Sequence, residues 1–111
     1  MKKFLIFLFL SQTITAQNIR VLDSLKNLIS LSKEDTTKVI NILHLSREVS
    51  SFDPDSAIKI TNTAIDLAQK RSLSKELAAC YNQLGNVYSA IGDFPSALKL
   101  YEKALAIREK L

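Results

Sequence analysis

Apolar side chains recur at intervals of three and four residues along most of the chain after residue 17. This spacing places them on one face of an α-helix. Polar or turn-forming stretches interrupt the pattern four times, at KEDTT, SSFD, RSLS and Gly92. The pattern therefore predicts five helices. They are expected over residues 19–32, from Thr36 or Thr37 to about Val49, from Asp53 to about Lys70, over 75–91, and from Asp93 to the end.

Capping residues support these boundaries. Asp53 and Asp93 each stand where an aspartate can accept a backbone N–H of the first helical turn, and Pro54 fits a first helical position. Ser72 or Ser74 is expected to cap the fourth helix in the same way. Gly92 is expected to end it, since glycine readily adopts the left-handed conformation at a helix C-terminus.

Small and aromatic residues occur at fixed intervals in the C-terminal part, which includes the stretch LGNVYSAIGDFPSALKLYEKAL. The residues concerned are Tyr81, Leu84, Gly85, Tyr88, Ala97, Tyr101 and Ala104. Their spacing resembles the signature of the tetratricopeptide repeat, a helix-turn-helix unit of about 34 residues. The resemblance implies a unit from Ala78 to Leu111, in which small residues let two helices approach closely while the tyrosines fill the surrounding space. The proline that the family carries near the end of the second helix is replaced by Glu109.

The preceding segment is a weaker copy of this unit. Four positions of its first helix match at an offset of 39 residues: Ile42, Leu45, Ser46 and Val49. Three of its second helix match at an offset of 40: Ala57, Thr61 and Ala64. The difference of one residue falls in the turn, where an insertion costs little.

The predicted fold is all-α, with antiparallel helical hairpins stacked as a short α-solenoid similar to tetratricopeptide arrays, after a signal peptide. The predicted divisions are a leader over 1–16, an amphipathic helix over 17–34, a degenerate hairpin over 36–73 and a hairpin over 74–111. Further repeats in a longer protein are expected to follow. A coiled coil is disfavoured because the chain has no sustained heptad.

The N-terminus has the order of a secretory signal peptide. Lys2 and Lys3 precede the apolar run FLIFLFL, and a polar stretch ends at Ala16 before Gln17. An uncleaved anchor or a buried strand is the alternative, but seven apolar residues fall short of the ~20 that span a bilayer. We therefore expect export to the periplasm or the extracellular space, and no membrane contact for the segment after Ala16.

Charge and cysteine content exclude several classes of protein. The formal net charge of +4 includes Lys2 and Lys3, and the remaining basic residues are interleaved with acids. This pattern gives no support to a nucleic-acid surface. A single cysteine, Cys80, allows neither an intramolecular disulfide nor a zinc framework.

No catalytic constellation is found in the sequence. His44, the single histidine, is interpreted as a helix residue rather than a base, and Cys80 as a small buried hydrophobe rather than a reactive thiol. The two glycines are interpreted as a packing residue and a helix stop. We therefore predict no enzymatic activity and no cofactor or metal.

The resemblance also implies a binding surface, because the first helix of each repeat lines a concave groove that usually takes peptides. The candidate groove residues are Asn82, Asn86, Ser89, Arg47 and Ser50. Amides can donate and accept hydrogen bonds with a peptide backbone, and an arginine can pair with a carboxylate. Asn86 matches an asparagine of relatives that bind chaperone tails, but their lysines are absent here. A plain solvated face is an equally good interpretation.

The predicted function is that of an exported, non-catalytic module that binds a protein or peptide. Its leader and repeats resemble the N-terminal sensory part of bacterial signalling proteins such as sensor histidine kinases. The alternative is a structural or oligomerisation scaffold without a dedicated ligand. The last helix carries Leu98, Tyr101 and Leu105 on the side that would pack on a following unit, so self-association through it is a further expectation.

Overall fold

The computed structural model describes residues 19–111, and every regular element within that range is an α-helix. Helix α1 covers residues 19–31. It is followed by α2 (Asp35–Ser50), α3 (Pro54–Lys70), α4 (Ser74–Ala90) and α5 (Phe94–Lys110). The predicted all-α class is confirmed. The predicted signal peptide lies outside the described residues.

Short turns connect the helices into two hairpins. α2 packs against α3 and α4 against α5, while α3 also packs against α4 and α2 contacts α4. Helix α1 covers part of the first hairpin through its half-buried Leu22, Leu25 and Ile29. The two first helices of the hairpins, α2 and α4, therefore lie next to each other.

Alanines allow the close approach of these helices. Ala57, Ala64 and Ala68 on α3 and Ala78 on α4 are fully buried. Larger apolar side chains fill the remaining space between the hairpins. The main buried cluster consists of Val39, Ile42, Leu43, Ala64, Ile65, Ala68, Cys80, Leu84 and Leu100. The core is thus continuous across both hairpins, as expected for repeats that stabilise each other by stacking.

The two predicted aspartate caps are confirmed. Asp53 Oδ1 accepts the Ser56 backbone N–H at 3.1 Å, and the Ser56 hydroxyl donates to Asp53 Oδ2 at 2.6 Å. Asp93 and Ser96 repeat the arrangement at 3.2 and 2.7 Å. The hydrogen bonds from Ser56 lower the pKa of Asp53. Because the pKa falls on folding, this cap contributes stability above the usual aspartate pKa of about 3.9 and loses it as the pH falls.

The predicted serine cap of α4 is wrong. The N-cap residue is Leu73, which offers no side-chain acceptor, and Ser74 is already the first residue of the helix. Ser72 cannot serve as the cap because it closes the preceding helix in a left-handed conformation, with φ of 56°. The Leu73 N–H then reaches back to the Ala68 carbonyl at 2.8 Å. This backbone closure of α3 places Leu73 at the start of α4.

Gly92 ends α4 as predicted. Its φ is 86°, and the following Asp93 N–H donates to the Tyr88 carbonyl at 2.9 Å. Ser72 occupies the corresponding place after α3, where the left-handed conformation disfavours a side chain. The turns after α3 and after α4 therefore have the same backbone geometry. Only the turn after α4 contains a glycine, so only that turn could be predicted from the sequence.

Candidate functional site

Gly85 on α4 makes a tight contact with the side chain of Tyr101 on α5. A Cβ atom at this position would lie 2.7 Å from Tyr101 Cε1 and 2.9 Å from Cδ1. Side-chain carbon atoms do not approach aromatic carbons at such distances without displacement. The absence of a side chain at Gly85 therefore gives the Tyr101 ring its place on the surface of α4.

Other signature residues surround this contact. Ala97 and Ala104 on α5 and Leu84 on α4 are buried. Tyr81 is half-buried, and it accepts a hydrogen bond from Gln69 Nε2 at 3.2 Å while Lys103 Nζ lies 5.4 Å from its ring centroid. Tyr81 thus contacts α3 and α5 from its position on α4.

The first hairpin replaces the glycine–tyrosine contact with a polar one. Ser46 Oγ and Thr61 Oγ1 lie 2.6 Å apart, and Thr61 Oγ1 also donates to the Ala57 carbonyl at 2.8 Å. Both side chains are fully buried. Gln83 of α4 donates from Nε2 to Ser46 Oγ at 3.3 Å. The repeat alignment paired positions 46 and 61 with the glycine and the tyrosine, but it revealed neither the hydrogen bonds nor Gln83.

The candidate groove residues of α4 form one stripe. Asn82, Asn86 and Ser89 follow one another at intervals of four and three residues, so they lie on the same side of the helix. Asn86 is exposed, and Asn82 and Ser89 are half-buried. The stripe is therefore accessible to solvent at Asn86 and partly covered at Asn82 and Ser89.

Arg47 and Ser50 occupy the matching positions on α2. Arg47 is exposed and Ser50 is half-buried, with the Ser50 hydroxyl donating to the Arg47 carbonyl at 2.8 Å. The hydrogen bond between Gln83 and Ser46 shows that α4 lies directly against α2. Position 43, which matches Asn82, is a buried leucine and offers no polar group.

Asn86 has a specific partner on α5. The Tyr101 hydroxyl donates to Asn86 Oδ1 at 2.6 Å. The same tyrosine whose ring rests on Gly85 therefore holds the amide of the next residue. The repeat spacing had placed Tyr101 only in the packing signature and Asn86 only in the groove.

The remaining reactive side chains do not assemble into a site within the described residues. His44 is exposed on α2, and Cys80 is fully buried. Burial, followed by the nearby Glu76 carboxylate, raises the pKa of the Cys80 thiol to about 12, which keeps it protonated and unreactive at neutral pH. Over residues 19–111 no cluster of three or more histidine, cysteine or acidic side chains is arranged to hold a metal ion.

None of the helices in the described part of the chain combines the length and apolarity needed to cross a membrane.

Comparison with known families identifies a repeat family in the C-terminal part of the chain. The family model described as tetratricopeptide repeat matches residues 50–110, just over half of the chain. The match covers α3, α4 and α5, and thus the whole hairpin that contains Gly85 and Tyr101. Most of α2 lies before it. Searches of curated proteins and of solved structures returned no significant match.

Proposed function

Because this chain belongs to the tetratricopeptide repeat family, whose repeats generally mediate protein–protein interaction, we propose that it binds a protein segment along α2 and α4. The observation that carries the proposal is the accessible polar stripe of α4, which is matched by Arg47 and Ser50 on the adjacent, equivalent helix. The two hairpins thus bring polar side chains from separate parts of the sequence onto neighbouring helices.

The chemistry of this surface suits an extended peptide. Asn82 and Asn86 supply amides for main-chain groups, and Arg47 supplies a positive charge for a carboxylate. Between Glu76 and the end of α4 no residue is charged. We therefore expect the stripe on α4 to bind a ligand through hydrogen bonds, with Arg47 supplying a positive charge from the matching position of α2.

Combined substitution of the groove tests the proposal. The triple variant Asn82→Ala, Asn86→Ala and Arg47→Ala should keep the helical circular dichroism signal, because none of the three side chains belongs to the buried core. We expect it to lose most of the partner captured by the unaltered protein. A matched variant at Asn62 and Thr63, two exposed residues of α3, should bind normally. Equal capture by the triple variant would contradict the groove as the binding surface.

We further propose that the module is exported and serves as the sensory part of a bacterial signalling protein. Support comes from the leader pattern that ends at Ala16 and from the interaction role of the repeats. Export predicts that intact-mass measurement of the protein recovered from its producing cell gives an N-terminus at Gln17. An intact Met1 on that material would contradict export with cleavage.

A structural scaffold is the second candidate, and the outer side of α5 favours it. Leu98 and Leu105 are 58% and 56% exposed. Their counterparts on α3 are Ile58 and Ile65, which belong to the core that α3 shares with α4. We propose that a second copy of this chain covers the α5 face, since that burial would remove apolar surface from water.

Light scattering on the chain without its predicted leader measures this pairing. Dimers are expected at high concentration, and Leu98→Glu with Leu105→Glu should give monomers because paired faces would bury four carboxylates. Thr63→Glu, at an exposed position of α3, serves as the control and should leave the dimer intact. A monomer at every concentration would rule out pairing through α5.

A further inference from the structure

The hydrogen bond between Tyr101 and Asn86 determines which end of the amide faces the groove. The 2.6 Å separation of Tyr101 Oη and Asn86 Oδ1 is typical of an O–H···O bond and short for an N–H···O bond. The carbonyl end of the amide is therefore the end that faces Tyr101. In a planar primary amide the nitrogen lies on the other side of Cγ, so its two N–H groups are directed away from the tyrosine.

Tyr101 can perform this task because its ring is held in place. The ring lies against Gly85, where even a methyl group would come within 2.7 Å of Cε1. Tyr101 is half-buried by the packing of α4 and α5. The position of the ring consequently holds the Tyr101 hydroxyl beside the exposed Asn86 of α4.

The first hairpin also presents a hydrogen-bond donor at the position that matches Asn86, but with different residues. Arg47 occupies the position of Asn86, and a guanidinium can only donate hydrogen bonds. Thr61 replaces Tyr101, and its hydroxyl is engaged by buried Ser46 and the Ala57 carbonyl instead. At this matched position, α2 and α4 therefore both present donors: a guanidinium and an oriented amide nitrogen.

We propose that Tyr101 is a positioning residue that fixes Asn86 as a hydrogen-bond donor, so that the groove selects acceptor groups of an extended peptide. This inference rests on the proposed peptide-binding function. The acceptors are main-chain carbonyl oxygens or a side-chain carboxylate. At positions 47 and 86, a lysine or arginine of the ligand would meet a guanidinium and an amide nitrogen, which are both donors, so basic side chains are disfavoured there.

The orientation of Asn86 can be measured without a ligand. In the full protein, ¹⁵N relaxation of the Asn86 side-chain amide should report a rigid group, and Tyr101→Phe should make it mobile while the backbone signals of α4 are retained. Tyr88→Phe is the matched control, because Tyr88 is another half-buried tyrosine of the same hairpin, on α4. An Asn86 amide that is equally rigid without the Tyr101 hydroxyl would overturn the positioning role.

Peptide selection tests the consequence for binding, with a random dodecapeptide display library as the probe. Peptides selected by the unaltered protein should be enriched in aspartate and glutamate. They should bind up to about tenfold more weakly to Tyr101→Phe, because an Asn86 amide that is no longer oriented loses most of the one hydrogen bond that it donates to the peptide. Asn86→Asp should weaken binding further, because it keeps an oxygen for Tyr101 but turns the outward donor into an acceptor.

The outcomes separate the two levels of the proposal. If the unaltered protein selects no peptides, the proposed binding function fails and the inference fails with it. If it selects peptides that bind all variants equally, or that are enriched in lysine and arginine, only the role of Tyr101 and Asn86 is overturned.

Discussion

Replacing Gly85 with leucine should lower the free energy of unfolding by roughly 1–3 kcal/mol, the usual cost of overpacking a tight contact. The Tyr101 ring occupies the space that the new side chain needs, with Cε1 2.7 Å from the first carbon atom added. Helix propensity acts in the opposite direction, because leucine is favoured over glycine by about 0.8 kcal/mol within a helix. A measured loss in chemical denaturation therefore reports packing and not local propensity.

A double-mutant cycle identifies the cause of this loss. In a Tyr101→Ala background the ring is gone, so Gly85→Leu should become neutral or stabilising. Ala90→Leu, at an exposed position of the same helix, controls for a general effect of added bulk. If Gly85→Leu costs nothing, or costs the same with and without Tyr101, the Tyr101 ring is not what excludes a side chain at position 85.

Thr61→Tyr is expected to cost about 3 kcal/mol or more, the largest effect predicted for this molecule. A tyrosine would be forced against Ser46, which is fully buried and only 2.6 Å from the present hydroxyl. Overpacking then adds to the loss of buried hydrogen bonds, each left unsatisfied at about 1–3 kcal/mol. Thermal unfolding of the variant measures the sum.

Ser46→Gly supplies the matched test of this prediction. A glycine at position 46 facing a tyrosine at position 61 would reproduce the contact between Gly85 and Tyr101. The double variant should therefore recover part of the stability lost by Thr61→Tyr. Recovery should be incomplete because Gln83 Nε2 loses its acceptor, the Ser46 hydroxyl. A double variant less stable than Thr61→Tyr alone would show that the two hairpins do not share one packing geometry at this point.

The sequence predicted those helix ends that depend on residues close together in the chain. Asp53 and Asp93 cap their helices through groups three residues away, and Gly92 adopts the conformation that glycine alone favours. The prediction failed at Ser72, where a serine is held in that same conformation. The left-handed state of Ser72 is set by the closure of α3 and by packing around the turn, which residue type does not reveal.

The hydrogen bonds between residues far apart in the chain could not be predicted from the sequence. Gln83 and Ser46 are 37 positions apart, and their hydrogen bond depends on how the second hairpin stacks on the first. The hydrogen bond from Tyr101 on α5 to Asn86 on α4 depends on where the tyrosine ring packs against Gly85. Spacing placed both partners on known helices, but only the three-dimensional packing shows that a signature residue controls a groove residue.

Site-specific photo-crosslinking tests the central claim, that α2 and α4 form the binding surface, most directly. A photoreactive amino acid would replace Ser50 on α2, Ser89 on α4 or, as a control, the exposed Thr63 on α3, each in the full protein within its native cell. We expect a protein adduct of the same mass from Ser50 and Ser89 and none from Thr63. Adducts from Thr63 alone, or no adduct from any of the three positions, would contradict this claim.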